Sequence, residues 1–524
     1  MEGDGIDIDC FSRLAIAVDM TPLRPGGANG GIKPAIFSML GSAIKQTQNA
    51  SFFIYLTNSA THAEVRRFSR PQDILICVLE EPEFPIKLPD SGLRAEFKLT
   101  SPPKDFVQDL GVDVLYCPFG ACTYHAPGVA TVALIADLLH RDYPHTLTKK
   151  QIAQREEFVG QTVRVASMIQ CISRSGVERM MKHYQVPEEK LFYTYLPVQV
   201  RLEDDPLSAQ NFVHEQGIDV PYFFYPANLW KHKNHETLLL AYRLYRERAG
   251  DASWDLVLTF HEDDRAAKIR ELAGVLGIER HLHLPGYVPE TGLRALWQRA
   301  GALVFPSLHE GFGIPLVEAM HYGVPIITGG DFSLKEIAGD ACYRIDARKP
   351  ESIVEALLKV SQDAALRESL ICQGKQRLQF YDLGIETRKL IEVWSALPRR
   401  APGFPRKPRV LEQPCVLAVP APASDDLWTV EVRVNPQFSQ NRYAVYLEEC
   451  AYGSFSSVLS PEGVFRFECR PQSRTLRVAV SGARTASGNN TPALKNAIDA
   501  IVARNPKGES ISLFKNTREA SHEG

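Results

Sequence analysis

Six short apolar, β-branched runs alternate with longer stretches of helical spacing from Leu14 onward, and after Leu196-Pro197 six more follow in the same way. The first set is 14–20, 52–57, 74–79, 114–118, 132–137 and 168–173; the second is 222–227, 254–260, 281–286, 302–307, 325–328 and 342–345. Runs without polar alternation suit parallel strands covered on both faces. The stretches between them, such as ETLLLAYRLYRERA with Leu238, Leu239, Tyr242 and Tyr245 at helical spacing, suit the covering helices. The chain is therefore expected to be α/β, with two doubly wound sheets in tandem. Ligands of such sheets bind beyond the carboxyl ends of strands, so chemistry is sought in the loops there.

Composition removes several classes of function. Over 524 residues, 59 Lys+Arg against 62 Asp+Glu leave a formal net charge of -3, too balanced to coat nucleic acid or an anionic membrane by bulk charge. No run approaches the roughly 20 apolar residues of a membrane-spanning helix. The acidic start MEGDGIDIDC is unlike a signal peptide, and ten scattered cysteines without a CxxC pair read as reduced thiols of a cytoplasmic protein. From Leu397 the character changes. Residues 398–426 are Pro-rich and basic, as in an extended linker, and the basic 399–409 stretch is also compatible with peripheral membrane contact. Beyond it, WTVEVRVNP, RYAVYLEE, VFRFECR and TLRVAVSG alternate at period two, as antiparallel strands do. The spacing in PALKNAIDAIVARN predicts a last helix.

The densest signal is FPSLHEGFGIPLVEAMHYGVPIIT. A strand ends at Pro306-Ser307, a turn with Gly311 and Gly313 follows, and a helix is expected near Pro315 with Gly323 as its stop. Turn amides and a helix N-terminus together attract an anion. Glu310 precedes the turn, and Glu318 is expected in the first helical turn. Carboxylates bond hydroxyls while amides bond phosphate oxygens, so the set suits a ligand carrying both. Singly, either Glu is as well explained by solvation or by the helix dipole.

Glu310 to Glu318 forms an E-x7-E motif inside EGFGIPLVEAM. With YPANLWKHKNHETLLLAY, HLHLPGYVPE, SRSGVERMMKHYQVPEEKL and VDMTPLRPGGANGGI, it resembles the retaining nucleotide-sugar glycosyltransferases of family 4, over about residues 12–397. The wording of several segments, DLLHRDYP included, most resembles the mannosyltransferase-like branch. The resemblance implies a GT-B fold: residues 1–197 as a Rossmann-like acceptor-side domain and 198–397 as a Rossmann-like donor domain with a return helix. Residues 427–524 would then be a β-rich appendage.

It also implies roles. Glu318 matches the carboxylate that bonds the donor ribose, and Glu310 the one lying against the donor sugar, beside the backbone of Gly311, Phe312 and Gly313. Lys233 matches the lysine that neutralises the donor diphosphate, with Lys231 a weaker partner, and Asn234 is placed to cap the following helix. Many members carry an Arg shortly before that lysine; here the stretch offers Asn228, Leu229 and Trp230, so Asn228 brings a donor without charge. Gly30 and Gly31 match the Gly-Gly turn facing the diphosphate. Asp137 matches the Asp of a His-Asp-Leu signature whose His place is held by Ala136, and Asp137 with His140 is expected on the acceptor side.

Implied throughout is a hexosyl transferase using GDP-mannose or a UDP-sugar and a glycan or lipid-linked acceptor, with no cofactor and no metal. Asp7-Ile8-Asp9, the lone Asp-x-Asp considered, precedes the first strand. Two other classes remain open here: a non-catalytic glycan- or nucleotide-binding module, and a sugar-nucleotide epimerase of the same fold.

Overall fold

The computed structural model describes residues 14–26, 29–47, 51–70, 73–79, 95–100, 106–198, 212–218 and 221–398, and strands at 415–420, 428–434, 444–448, 464–469, 475–481, 498–504 and 510–515. Asp7-Ile8-Asp9, Gly27 and the basic 399–409 stretch lie outside them.

Two sheets carry the Rossmann-like grammar. The first holds β1 (Ala15–Asp19), β2 (Phe52–Thr57), β3 (Ile74–Leu79), β4 (Ala95–Thr100), β5 (Val114–Cys117), β6 (Ala130–Ile135), β7 (Met168–Cys171) and β8 (Leu191–Tyr193), in the order β4-β3-β2-β1-β5-β6-β7-β8. The second holds β9 (Tyr222–Pro226), β10 (Asp255–Thr259), β11 (Leu282–Gly286), β12 (Ala302–Phe305), β13 (Ile326–Gly329) and β14 (Tyr343–Ile345), in the order β11-β10-β9-β12-β13-β14. Pairing is parallel from β9 to both β10 and β12, and from β1 to both β2 and β5. All twelve apolar runs read from the sequence are strands. The additional β4, AEFKLT, alternates polar residues at the sheet's edge, and β8 is only three residues long.

Apolar continuity follows from this topology. Phe223, Phe224, Leu256, Val257, Leu303 and Val304 are fully buried, each worth about 1.5–3 kcal/mol. Trp297 meets Phe224 edge to face at 4.9 Å, and Trp394 of the return helix Leu383–Ala396 meets Tyr116 at 5.2 Å.

The C-terminal strands form two smaller antiparallel sheets. One correction falls here. Residues 498–504, read as part of a helix, are a strand paired with both 428–434 and 510–515. Alanine and isoleucine at three- and four-residue spacing satisfy a helix locally, and strand pairing overrides that weak preference. The strand Cys415–Pro420 lies within the stretch read as linker.

By compactness the chain divides into residues 1–25, 47–132 and 394–524 as one unit, and 26–46 with 133–393 as the other. Every side chain of the site below belongs to the second.

Candidate active site

In the second sheet β9 and β12 are neighbours, although two β-α units separate them in sequence. Strand order reverses there, so the loops leaving their carboxyl ends diverge and open a crevice. The β9 loop makes a 3₁₀ turn at Lys231–Lys233 and enters the helix His235–Ala249 through Asn234, whose φ of 63° is a left-handed conformation that asparagine tolerates. Contrary to the expectation from sequence, the Asn234 amide does not cap that helix. It donates to the carbonyls of Pro306 (3.2 Å) and Ala347 (2.7 Å), tying the β9 loop to the loops after β12 and β14. Tyr225 Oη lies 2.7 Å from the Lys233 carbonyl and 3.0 Å from Ser307 Oγ, and the Leu308 N–H donates to the His232 carbonyl at 2.8 Å. The two loops are one stitched unit.

On this frame Lys233 Nζ donates to Glu310 Oε1 at 2.6 Å, with side chains 13% and 12% exposed. Lys233 also lies 5.7 Å from the Phe305 ring centroid and 5.9 Å from that of Trp230. Past Glu310 the chain turns at Gly313 (φ 97°) into the helix Ile314–Tyr322, with Pro315 in its first turn and Gly323 ending it at φ 66°. Gly313 offers this N-terminus no capping side chain, and the first turn holds no acid, which leaves the dipole end suited to an anion. Glu318 therefore stands one turn deeper than expected. It is 4% exposed among buried Leu316, Val317, Ala319 and Met320, so dipole compensation does not explain it.

The glycines sort by geometry. A Cβ on Gly311 would stand 1.9 Å from the Ala136 carbonyl oxygen, so this glycine admits the loop after β6. Gly30 needs its freedom for φ 60°, and a Cβ on Gly31 would reach the Ile314 side chain at 2.6 Å, bringing the Gly-Gly turn to the motif helix. Lys33 Nζ closes that turn on the Gly26 carbonyl at 3.2 Å. Phe312 is packed between Tyr195 and Tyr381, so only its backbone is placed for a ligand. Lys231 is exposed, and Asn228 Oδ1 accepts the His261 N–H at 3.0 Å.

Beside Glu310 a pocket is lined by Ala136, Asp137, Ser173, Arg179, His309 and Gly311, among others. Asp137 accepts from the Leu139 N–H and from Arg155, both at 2.9 Å. Burial works to raise its carboxyl, but Arg155, His309 and that N–H outweigh it and hold the group below the usual range. His140 is not among the lining residues. It is 3% exposed, bonded through Nε2 to Tyr184 Oη at 2.7 Å, and burial pushes its imidazole down.

Residues that the sequence reading did not single out complete the surroundings. Ser173 and Ser333 hold the Gly311 and Glu310 carbonyls at 2.9 and 2.7 Å, and His309 Nε2 bonds Asp142 at 2.9 Å. Asp142 and His309 are 167 residues apart, and no local spacing pairs them. Among the described residues no three His, Cys, Asp or Glu side chains are placed to hold a metal ion, and no helix is long and apolar enough to cross a membrane.

Residues 209–377 match the family model for glycosyl transferases group 1. O-antigen chain mannosyltransferase B of Escherichia coli is 28% identical over 264 residues, 48% of this chain and 67% of that protein. O-antigen chain mannosyltransferase RfbU of Salmonella typhimurium is 22% identical over 201 residues, 38% of this chain and 53% of that protein. Among solved structures, Anabaena Alr3699/HepE in complex with UDP and glucose superposes with a TM-score of 0.56 at 13% identity, over 74% of this chain and 100% of that one, a likeness of GT-B fold.

Proposed function

We propose that this chain, whose residues 209–377 match the model for glycosyl transferases group 1, moves a hexosyl group, mannosyl by analogy with the mannosyltransferases it resembles, from a nucleoside-diphosphate sugar to a glycan or lipid-linked acceptor. The observation that carries the reading is the Lys233–Glu310 pair at the strand-order reversal of the second sheet. A nearly buried ammonium and carboxylate lose much of their hydration, and a surface pair would serve stability as well at lower cost. An arriving diphosphate competes for the lysine. Lys233 and the N-terminus of Ile314–Tyr322 take the phosphates, and Glu310 is released toward the sugar hydroxyls. Glu318 bonds the ribose, with Lys231 and Asn228 at the edge of the phosphate site and Gly30-Gly31 facing it.

Departure of the diphosphate leaves an oxocarbenium-like carbon and adds negative charge to the leaving oxygen. Fixed positive groups stabilise that charge by about 3–4 kcal/mol for each well-placed donor. The acceptor hydroxyl enters through the pocket beside Asp137, attacks the face the diphosphate leaves, and passes its proton to the departing phosphate oxygen, so configuration is retained. The lysine and helix amides take the charge here, so turnover is expected to persist in EDTA.

The test is a panel of GDP-, UDP- and ADP-sugars with candidate acceptors. Released nucleoside diphosphate that disappears in Glu310→Ala and Lys233→Ala supports the reading. Donor binding without turnover across the panel, or conversion of the donor with no acceptor present, contradicts it.

A further inference from the structure

We propose that Asp142 and His309 are positioning residues for the transfer step: the bond between a buried carboxylate and a buried imidazole fixes the loop on which Glu310 stands. The proposal rests on the reading of Glu310 and Lys233 given above.

His309 directly precedes Glu310. Its side chain is 3% exposed, that of Asp142 is 1% exposed, and Nε2 lies 2.9 Å from Asp142 Oδ2. A carboxylate only accepts hydrogen bonds, so Nε2 carries the proton and the imidazole is held in one tautomer. Burial depresses His309 to about 4, against the opposing influence of Asp137 and Glu310, so the ring stays neutral near pH 7. The other oxygen of Asp142 accepts from His183 Nε2 at 3.0 Å and pairs with Arg179, whose charge balances the carboxylate.

Phe332 covers the cluster. Its ring lies 5.3 Å from His309, 5.9 Å from Tyr143 and 4.0 Å from the Arg179 guanidinium carbon, and its φ is 49°. A bulky side chain keeps that left-handed conformation only where its surroundings over-determine it, and such positions gather at functional sites.

Simple stapling explains this poorly. Two loops are joined at least as stably by packed apolar side chains as by a buried ionic network, and such networks are better suited to fixing one arrangement. Here the arrangement fixed is that of Glu310. Its own carbonyl is held by Ser333, the next by Ser173, and the Leu308 amide by the His232 carbonyl. His309 supplies the anchor toward the segment after β6. With all four in place, the Glu310 carboxylate stands 2.6 Å from Lys233 Nζ. A misplacement of about 1 Å at a reacting centre is enough to cost about 100-fold in rate.

Steady-state kinetics of the full chain with the donor that turns over best provide the test. His309→Leu is expected to lower kcat by about 30- to 100-fold while the donor KM stays within about threefold, because nucleotide binding rests on Glu318 and the helix amides. His309→Gln, whose Nε2–H can reach Asp142, is expected to recover to within about fivefold of the parent, and Asp142→Asn to lose about tenfold in kcat. Should His309→Leu fail to fold, His309→Gln against the shorter His309→Asn carries the same comparison, with Gln the faster by about tenfold. A His309→Leu kcat within about threefold of the parent overturns the proposal. So does a loss that Gln does not rescue, or one matching only the unfolded fraction seen in thermal melting. A parent with no turnover on any donor overturns the functional reading and this inference together, whereas an active parent with unimpaired variants overturns the inference alone.

Discussion

The two large sheets reverse strand order at corresponding places, between β1 and β5 in the first and between β9 and β12 in the second, yet the chemistry at the two points is opposite. At the second stand Lys233, Glu310 and an uncapped helix N-terminus. At the first, Asp19 ends β1 fully buried. Its Oδ1 accepts from the Thr21 N–H at 3.0 Å and the Thr21 hydroxyl at 2.6 Å, while Oδ2 has no hydrogen-bond partner among the described residues. Cys117 ends β5 as a free thiol, and hydrogen bonding with the Cys122 thiol, with burial and the Asp19 charge, pushes it far up. Burial raises Asp19 to about 6. The topology supplies a place for a ligand; the loop residues decide what that place binds. One gathers an ammonium and an uncapped helix N-terminus, the other holds groups pushed toward their neutral forms.

If that contrast is right, perturbing the second point should cost activity, and perturbing the first should alter stability. The largest effect is expected from Glu310→Ala or Lys233→Ala, each losing about 100- to 1000-fold in nucleoside diphosphate release, while thermal melting reports the folded fraction. Next comes Asp19→Asn. A carboxyl raised in the folded state adds stability that is complete below its unfolded value near 3.8 and is lost as pH rises through about 6. The parent should therefore lose roughly 3 kcal/mol relative to Asp19→Asn between pH 3 and 7, read from denaturant midpoints across pH. Parallel profiles would show that Asp19 is not a buried acid of this kind.

A smaller effect is expected of Glu318→Ala: calorimetric donor affinity should fall about 10- to 100-fold, as for lost charged hydrogen bonds, with less change in kcat at saturation. Smallest is Lys231→Ala. Its exposed ammonium is worth about 0.3–1 kcal/mol to the phosphates, so the donor KM should rise no more than about fivefold. A drop as large as that of Lys233→Ala would move the anion site toward the protein surface.

The same contrast shows what the sequence makes legible. Strands buried on both faces announce themselves as apolar runs, and E-x7-E with the lysine after β9 marks the candidate site, because neighbouring loops supply all three groups. Less visible is what distant segments do to one another. The Ala136 carbonyl gives Gly311 its purpose, and the bond from His309 to Asp142 spans 167 residues. Asn234 misled for the same reason: local spacing offers it as a cap, whereas the Pro306 and Ala347 carbonyls claim its amide. His140 lies near the expected loop, but its imidazole is turned to Tyr184.

A crystal structure with an unhydrolysed nucleoside-diphosphate sugar tests the central claim most directly. The account predicts phosphate oxygens on Lys233 Nζ and at the N-terminus of Ile314–Tyr322, the ribose on Glu318, and Glu310 moved from the lysine to the sugar. A donor bound elsewhere, with the Lys233–Glu310 bond still intact at 2.6 Å, would contradict it.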